Sequence, residues 1–350
     1  MKVAVAMSGG VDSSVSAALL KEDGHEVIGV TMRVMPANDY TASAESAAAD
    51  VASKLDIPHY ILDIHDVFER RIIDNFCRDY QQGRTPNPCI LCNKFIKFGA
   101  LRDKVKELGA DILATGHHAR IEKDDHSGRH LLKKGRDRMK DQSYFLCQIR
   151  QEQLKHTLFP IGQMTKDRVK RIAAERGFPA VSRPESQEIC FIPDGDYKKF
   201  LEQYLPNVSR PGKILDQGGK VVGKHQGITT YTVGQRKGLG IFSARPLYVT
   251  SIEAQSNTVV VGTREQTYGT ELIAQNLNWI AISRPTTPIK VKAKIRYRHP
   301  EAEATVIPQD ENSVYVRFAE PQMAITPGQV VVFYEDDIIL GSGIIYKQGR

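Results

Sequence analysis

Apolar positions in the first part of the chain follow two periods in turn. Short, largely apolar runs at KVAVAM (2–7), EVIGVTM (26–32), HYILDI (59–64) and DILATG (111–116) are separated by other segments. In those segments, apolar residues recur every three or four positions: Ser13 to Glu22, Ala42 to Leu55, 66–81 and Asn93 to Leu108. The runs predict strands and the intervening segments predict helices, so the region reads as βαβ units forming a doubly wound parallel sheet. From about Pro211 the helical period disappears. GITTYTVG, PLYVTSIE and TVVVGT predict a small β-rich domain, and IKVKAKIRYRH, SVYVRFAE and QVVVFYEDDIILGSGIIY predict a closing barrel or sandwich. The expected fold is thus α/β, with domains at 1–205, 206–270 and 271–350, the last a C-terminal β-barrel.

Composition narrows the class. At 350 residues the chain exceeds one ordinary core. With 41% apolar and 25% charged residues it reads as globular, and its net charge of +7 fits an anionic partner such as nucleic acid. No run approaches the ~18 apolar residues of a membrane helix, and MKVAVAMSGG lacks a signal-peptide cleavage site. No membrane partner is expected, and the expected location is cytoplasmic. Thiols stay reduced there, so an odd set of five cysteines reads as chemistry plus core filling.

The first strand runs into SGGVDSS. Glycines allow close backbone approach to a phosphate, hydroxyls add donors, and the following helix offers free N–H groups and the positive end of its dipole. The loop lacks the Lys of a Walker A motif and the spacing of a dinucleotide fingerprint. It resembles the SGGxDS loop of ATP pyrophosphatases, which implies an adenine nucleotide alpha hydrolase-like fold and ATP with Mg²⁺. Met32 and Gly116 fall at the carboxyl ends of predicted strands, where such a sheet binds its ligand.

Pro86 and Pro88 in TPNPCILCNKF hold their stretch extended, so a helix is expected to start near Cys92 or Asn93. That would place the Cys92 sulfur at a helix N-terminus beside Lys94 and Lys97, conditions that favour a thiolate. Cys190, in the polar loop SRPESQEICFIP, is the natural further partner. Cys77 and Cys147 sit at spacings that suit a buried face. Cys89, Cys92 and Cys190 fit a persulfide carrier, and a three-cysteine iron–sulfur cluster stays open; thioredoxin-like and structural zinc readings lack their required neighbours.

Lys290, Lys292, Lys294, Arg296 and Arg298 alternate with Val291, Ala293, Ile295 and Tyr297, which predicts one strand with a basic face. A second basic run, KKGRDRMKDQ (133–142), is expected on a loop.

SGGVDSS, GRTPNPCILCNKFIKFG, ATGHHAR, KDQSYFL, SRPESQEICFIP and YTVGQRKGLG occur in this order. With that set the chain resembles the bacterial tRNA-specific 2-thiouridylases almost end to end. The resemblance implies 2-thiolation of the wobble uridine of tRNA by adenylation of its C2 oxygen. Sulfur would come as persulfide from a donor protein, a cysteine desulfurase or sulfur relay protein. Cys190 would carry the persulfide, and Cys92 would complete transfer or form a disulfide with Cys190. Ala6, Met7, Ser8, Gly9, Gly10, Val11, Asp12, Ser13, Met32 and Gly116 would bind ATP. Asn87, Pro88 and Cys89 would face the target base, and His117, Lys140, Asp141, Gln142, Arg296, Tyr297 and Gln329 would meet tRNA. The chain departs from the commonest family pattern at Cys89 and Glu188, both often aspartate. A thiol at 89 weakens an acid–base role there and makes a cluster ligand more thinkable. The rival readings are a ligase-type ATP pyrophosphatase acting on a small molecule, an iron–sulfur-dependent tRNA thiolase and a nucleotide-regulated tRNA-binding protein.

Overall fold

The computed structural model describes residues 1–36, 39–178, 189–192, 194–205 and 210–349. Glu188 and most of the SRPESQEIC stretch lie outside the described residues. The chain divides into two compact units. One contains Met1–Ile72, Cys89–Gln187 and Asp337–Ile339; the other contains Ile73–Pro88, Glu188–Asp336 and Leu340–Arg350.

The first unit is built on β1 (Lys2–Ala6), β2 (Glu26–Arg33), β3 (His59–Asp63), β4 (Ile112–Thr115), β5 (Ala119–Lys123), β6 (His130–Lys134) and β7 (Thr157–Leu158). Five of these form a sheet in the order β3-β2-β1-β4-β7, parallel at each pairing. Val3, Ala4 and Val5 of β1 are wholly buried, as a central parallel strand covered on both faces requires. Helix α1 (Val11–Glu22) and helix α2 (Asp39–Lys54) follow β1 and β2. Val15, Ala17, Ala18 and Leu20 of α1 pack with Val51 and Ala52 of α2 and with Val169, Ile172 and Ala173 into one core. β5 and β6 form an antiparallel hairpin, so Lys133 and Lys134 of the second basic run lie on a strand and not a loop. Lys133 reaches Glu122 at 2.9 Å and Asp337 at 3.7 Å, which removes it from the freely solvated cations.

The second unit holds two β assemblies. β8 (Gly212–Leu215), β9 (Val221–His225), β10 (Tyr248–Glu253) and β11 (Thr258–Gly262) form a sheet in the order β10-β11-β8-β9 around Ile214, Val249, Val259 and Val261. β12 (Tyr268–Trp279), β13 (Ile289–Lys294), β14 (Ala302–Pro308), β15 (Ser313–Met323), β16 (Val330–Glu335) and β17 (Ile338–Gln348) run in the order β12-β15-β14-β13-β16-β17. A β12–β17 pairing closes this barrel over Val306, Val316, Val331 and Phe333. Closure pairs the two end strands of this barrel with each other.

The predicted basic strand is shorter than its alternating pattern suggested. β13 ends at Lys294, and the chain then turns through 295–299 with Ile295 buried. Lys290 and Lys292 stay exposed, Lys292 opposite Glu303 on β14. Arg296 is drawn inward: one terminal nitrogen donates to the carbonyl of Met323 at 2.7 Å and also to that of Ala324. The alternation therefore survives only over β13, because a cation can join the stripe only while the strand persists.

Candidate nucleotide and thiol site

The SGGVDSS loop lies at the carboxyl ends of β1, β2 and β4. After Ala6, the buried Met7 donates its N–H to the Val30 carbonyl at 2.8 Å, and the chain then turns sharply at Gly9, φ +71°. A Cβ at Gly9 would lie 2.8 Å from the Ala47 Cβ and 2.9 Å from the Ala44 carbonyl oxygen, so only glycine allows this approach to α2. Gly10 precedes Val11 as the extended N-cap of α1. The Ser14 hydroxyl donates to its carbonyl at 2.8 Å and the Ser13 hydroxyl at 3.1 Å, while the Ser13 oxygen accepts the Ser8 N–H at 3.3 Å. Helix geometry leaves the first-turn N–H groups of α1 without intrahelical acceptors, at the positive end of the dipole. Gly116 closes the cradle from β4: a Cβ there would stand 2.7 Å from Asp12 C and Ser13 N. Met32, half-buried, precedes Arg33 at the end of β2, and Arg33 holds Glu45 of α2 through contacts of 2.9 and 2.7 Å.

Asp12 is the hub. Lys166 Nζ donates to both its oxygens, at 2.8 and 2.7 Å, and His118 Nε2 lies 3.3 Å from one of them. Burial opposes the Asp12 charge, but the hydrogen bonds from His118 and Lys166, with their charges, more than offset it and hold the carboxyl below its usual range. Neither partner was identified from the sequence. Lys166 is 154 residues from Asp12, and His118 was overshadowed by its neighbour His117. One signal was present: Lys166 opens the helix Lys166–Glu175 behind the N-cap Thr165, where a helix dipole disfavours a cation. Its ammonium instead serves Asp12.

His117 is half-buried, packed between Phe98 and Phe159, with Nδ1 2.6 Å from the Thr115 hydroxyl. Burial, then the charges of Lys97 and His118, press its pKa well below the ordinary value, so the ring is neutral at neutral pH. The Asp141 and Gln142 side chains of KDQ help to frame this corner. Asp141 accepts from the Gly135 and Ser143 N–H groups and the Ser143 hydroxyl, while Gln142 Oε1 accepts the His118 N–H at 2.9 Å. The Lys140 N–H bonds the Asp137 carbonyl.

The cysteine helix starts earlier than expected. It begins at Pro88, continues through π turns over Cys92–Leu101 and ends as an α-helix over Arg102–Glu107. Proline is tolerated at a first helical position, where its missing N–H would have no partner anyway. Cys89 therefore occupies the first turn, and Cys92 lies a turn inside instead of at the N-terminus. Cys89 is exposed and Cys92 half-exposed. Surrounding protein pushes the Cys89 thiol above its ordinary value, with Lys97 opposing. The wide turn is supported by Gln153, whose amide donates to the Lys94 and Phe98 carbonyls at 2.9 and 2.6 Å. The buried Asn93 donates to the Phe145 carbonyl at 2.9 Å. Cys77 and Cys147 are buried, as expected, and burial pushes the Cys77 thiol up to about 11.

In the second unit, Gln329 Nε2 donates to the carbonyls of Thr85 at 2.9 Å and Pro86 at 3.2 Å. The Thr85 N–H bonds the Pro327 carbonyl, and a Cβ at Gly328, φ +91°, would meet Thr85 O at 2.9 Å. The segment leading to Asn87 and Pro88 is thus clamped by the turn before β16. Cys190 is exposed, while the adjacent Phe191 is buried edge-on against Phe76 at 5.4 Å. Tyr297 follows Arg296, its ring 5.7 Å from Lys294 Nζ.

Asp12 is the only carboxylate in SGGVDSS, and Lys166 occupies both its oxygens, so the loop as arranged does not fit a divalent cation at that carboxylate. Among the described residues, no three or more His, Cys, Asp or Glu side chains are placed to hold a metal ion.

The parallel sheet, its glycine loop and the helix behind it define an α/β domain of nucleotide-binding type. Family models agree: "tRNA methyl transferase HUP domain" matches residues 1–194, "tRNA methyl transferase PRC-barrel domain" residues 198–263 and "Aminomethyltransferase beta-barrel domain" residues 269–345. The chain is 52% identical to a tRNA-specific 2-thiouridylase MnmA 1 of Caldanaerobacter subterraneus subsp. tengcongensis, covering 100% of this chain and 99% of the relative. It is 50% identical to tRNA-specific 2-thiouridylase MnmA of Acetivibrio thermocellus, covering 98% and 99%, and 49% identical to that of Symbiobacterium thermophilum, covering 99% and 92%. The chain belongs to the tRNA-specific 2-thiouridylase family, whose members are sulfurtransferases acting on tRNA.

Proposed function

We propose that this enzyme replaces the C2 oxygen of the wobble uridine of tRNA with sulfur, in the cytosol, at the expense of ATP. The carrying observation is that the first unit combines a phosphate cradle, with Asp12 fixed by Lys166 and His118, and a solvent-reachable Cys92 on the helix that starts at Pro88. In this reading, Ala6 to Ser13, Met32 and Gly116 hold ATP. The uridine leaves its stack, and its C2 oxygen attacks the α-phosphorus; pyrophosphate departs. The terminal sulfur of a Cys190 persulfide, loaded by a donor protein, then attacks C2 and AMP leaves. Attack of Cys92 on the Cys190 sulfur releases 2-thiouridine and leaves a Cys92–Cys190 disulfide, which an external dithiol must reduce before the next turnover.

Asn87, Pro88 and Cys89 border the base in this reading, and the neutral His117 offers it a hydrogen-bonding face. The preformed first-turn N–H groups of α1 supply the oxyanion contacts for displacement at phosphorus. The domain division that goes with this reading is catalytic over 1–205, β-rich over 206–270 and tRNA-contacting over 271–350.

The test measures pyrophosphate and 2-thiouridine from the same reaction with unmodified tRNA, ATP and a persulfide donor. Cys190→Ser should release pyrophosphate in a tRNA-dependent manner while forming no 2-thiouridine. Undiminished thiolation by this variant would overturn the cysteine assignment, and pyrophosphate release without tRNA would favour a ligase acting on a small molecule.

A further inference from the structure

YTVGQRKGLG and the residues after it form a loop in the β-rich domain that the chemistry above leaves without a task. Its base is firm. Gly234 N–H bonds the Val249 carbonyl, Val249 N–H bonds the Gln235 carbonyl, and the Gln235 side chain spans the Thr232 N–H and the Lys237 carbonyl at 3.0 Å each. Gly234, Gly238 and Gly240 take φ of +90°, +74° and +68°, conformations that glycine adopts without strain. Leu239 is buried in the domain core, and Ile241 packs against it.

Phe242 behaves in the opposite way. It is fully exposed, at 104% of its reference surface, although two apolar neighbours within three residues are turned inward. A lone exposed apolar residue is ordinary, but this one has two further features beside it. Arg236, Phe242 and Arg245 line an open hollow of about 570 Å³ whose walls come wholly from this loop. From Gln217 to Ile252 the chain contains no Asp or Glu but five cations, Lys220, Lys224, Arg236, Lys237 and Arg245. Lys224 also stands directly across from the exposed Lys213, a like-charged pair that costs stability in isolation.

An exposed aromatic face, a hollow large enough for a nucleobase and a run of cations with no acid among them in the sequence together match an unstacked RNA base and its flanking phosphates. We infer that the 236–245 loop is a second RNA-binding site, in which Phe242 stacks on an unpaired base of the tRNA and Arg236 and Arg245 contact the adjoining phosphates. This rests on the tRNA reading above. The buried Leu239 and the partly buried Ile241 anchor the loop to the domain core beside the exposed Phe242.

The experiment titrates the whole protein with an unmodified tRNA transcript, for wild type, Phe242→Ala, Phe242→Trp and the Arg236→Ala/Arg245→Ala double variant. Phe242→Ala should raise the tRNA Kd about tenfold, the scale of one lost base stack, with an unchanged salt slope and melting temperature. Phe242→Trp should bind like wild type, and its emission should be quenched by tRNA and by single-stranded RNA but not by duplex RNA. The arginine double variant should lower the slope of log K against log salt by roughly 1.5. Wild-type affinity in Phe242→Ala together with unchanged tryptophan emission at saturating tRNA would overturn the loop assignment while leaving the tRNA reading intact. Failure of the wild type to bind tRNA would instead bring down the reading beneath it. If sedimentation shows that Phe242→Ala abolishes self-association at unchanged tRNA affinity, the occupant is a second copy of the chain and the proposal fails.

Discussion

The SGGVDSS loop and the basic stretch 290–298 are both short patterns of small or charged residues, yet folding treats them differently. In SGGVDSS, the glycines and serines are bonded to groups a few residues away, and the loop keeps the shape its pattern implies. In IKVKAKIRYRH, half of the pattern is overridden: the strand stops at Lys294 and Arg296 turns to distant carbonyls on and just beyond β15. A motif built from local hydrogen bonds carries its conformation with it. A stripe of charges lasts only as long as its neighbours sustain the strand.

The sharpest way to break this comparison is to remove the long-range side-chain anchor of the loop. Asp12→Ala strands the buried Lys166 ammonium and should cost about 3 kcal/mol of stability, in the range for a broken buried pair. It should also lower tRNA-dependent pyrophosphate release roughly 10²-fold through misplacement of the phosphates. Lys166→Met keeps the volume, so its lost rate at near-native melting would separate chemistry from folding. A wild-type rate in either variant would show that the hub is dispensable.

Arg296→Ala should destabilise the barrel by about 2 kcal/mol, because two carbonyls lose a charged donor. Lys292→Ala, on the exposed face of β13, should stay within about 0.5 kcal/mol of wild type. Equal melting temperatures for the two variants would mean that Arg296 is a surface cation after all.

Gln329→Ala frees the Thr85 and Pro86 carbonyls. If the clamp acts by positioning the segment before Asn87, kcat should fall about tenfold while KM for tRNA holds, and Gln329→Lys, which keeps a donor, should recover part of the loss. A rise in KM for tRNA at constant kcat would assign Gln329 to direct RNA contact instead.

The smallest effect concerns pH. The folded His117 pKa lies below its unfolded value of about 6.5, so the unfolded chain takes up a proton that the native ring refuses. Its full contribution is present above pH 6.5 and is lost as pH falls toward the depressed value, by at most about tenfold in the folding equilibrium per unit. His117→Gln should flatten that acid limb in melts taken between pH 7 and 5; an unchanged limb would place the sensitivity elsewhere.

The reading of the thiols shows where local inference stops. Buried Cys77 was legible because it lies on the helix Asp74–Gln81, where spacing places a residue on a face regardless of tertiary detail; Cys147, also buried, lies in the turn after the short helix Ser143–Leu146. The start of the cysteine helix was misplaced, since the rule that proline breaks helices was applied to Pro88, which stands at a first-turn position where proline is accepted. The π turns over Cys92–Leu101 left no mark in the sequence, because the Gln153 amide that supports them comes from a separate segment.

What the sequence by itself determined is the parallel sheet, the glycine–serine loop at its carboxyl edge, the β-rich remainder and the burial of Cys77. All of these follow from periodicity, glycine conformation and proline geometry within a few residues. Tertiary structure alone decided that Asp12 is held by Lys166 and His118, that Arg296 faces inward and that Gln329 clamps Thr85 and Pro86. Those outcomes depend on which donors and acceptors folding brings together across a hundred residues or on separate strands, and burial makes each donor take the acceptor that the fold provides.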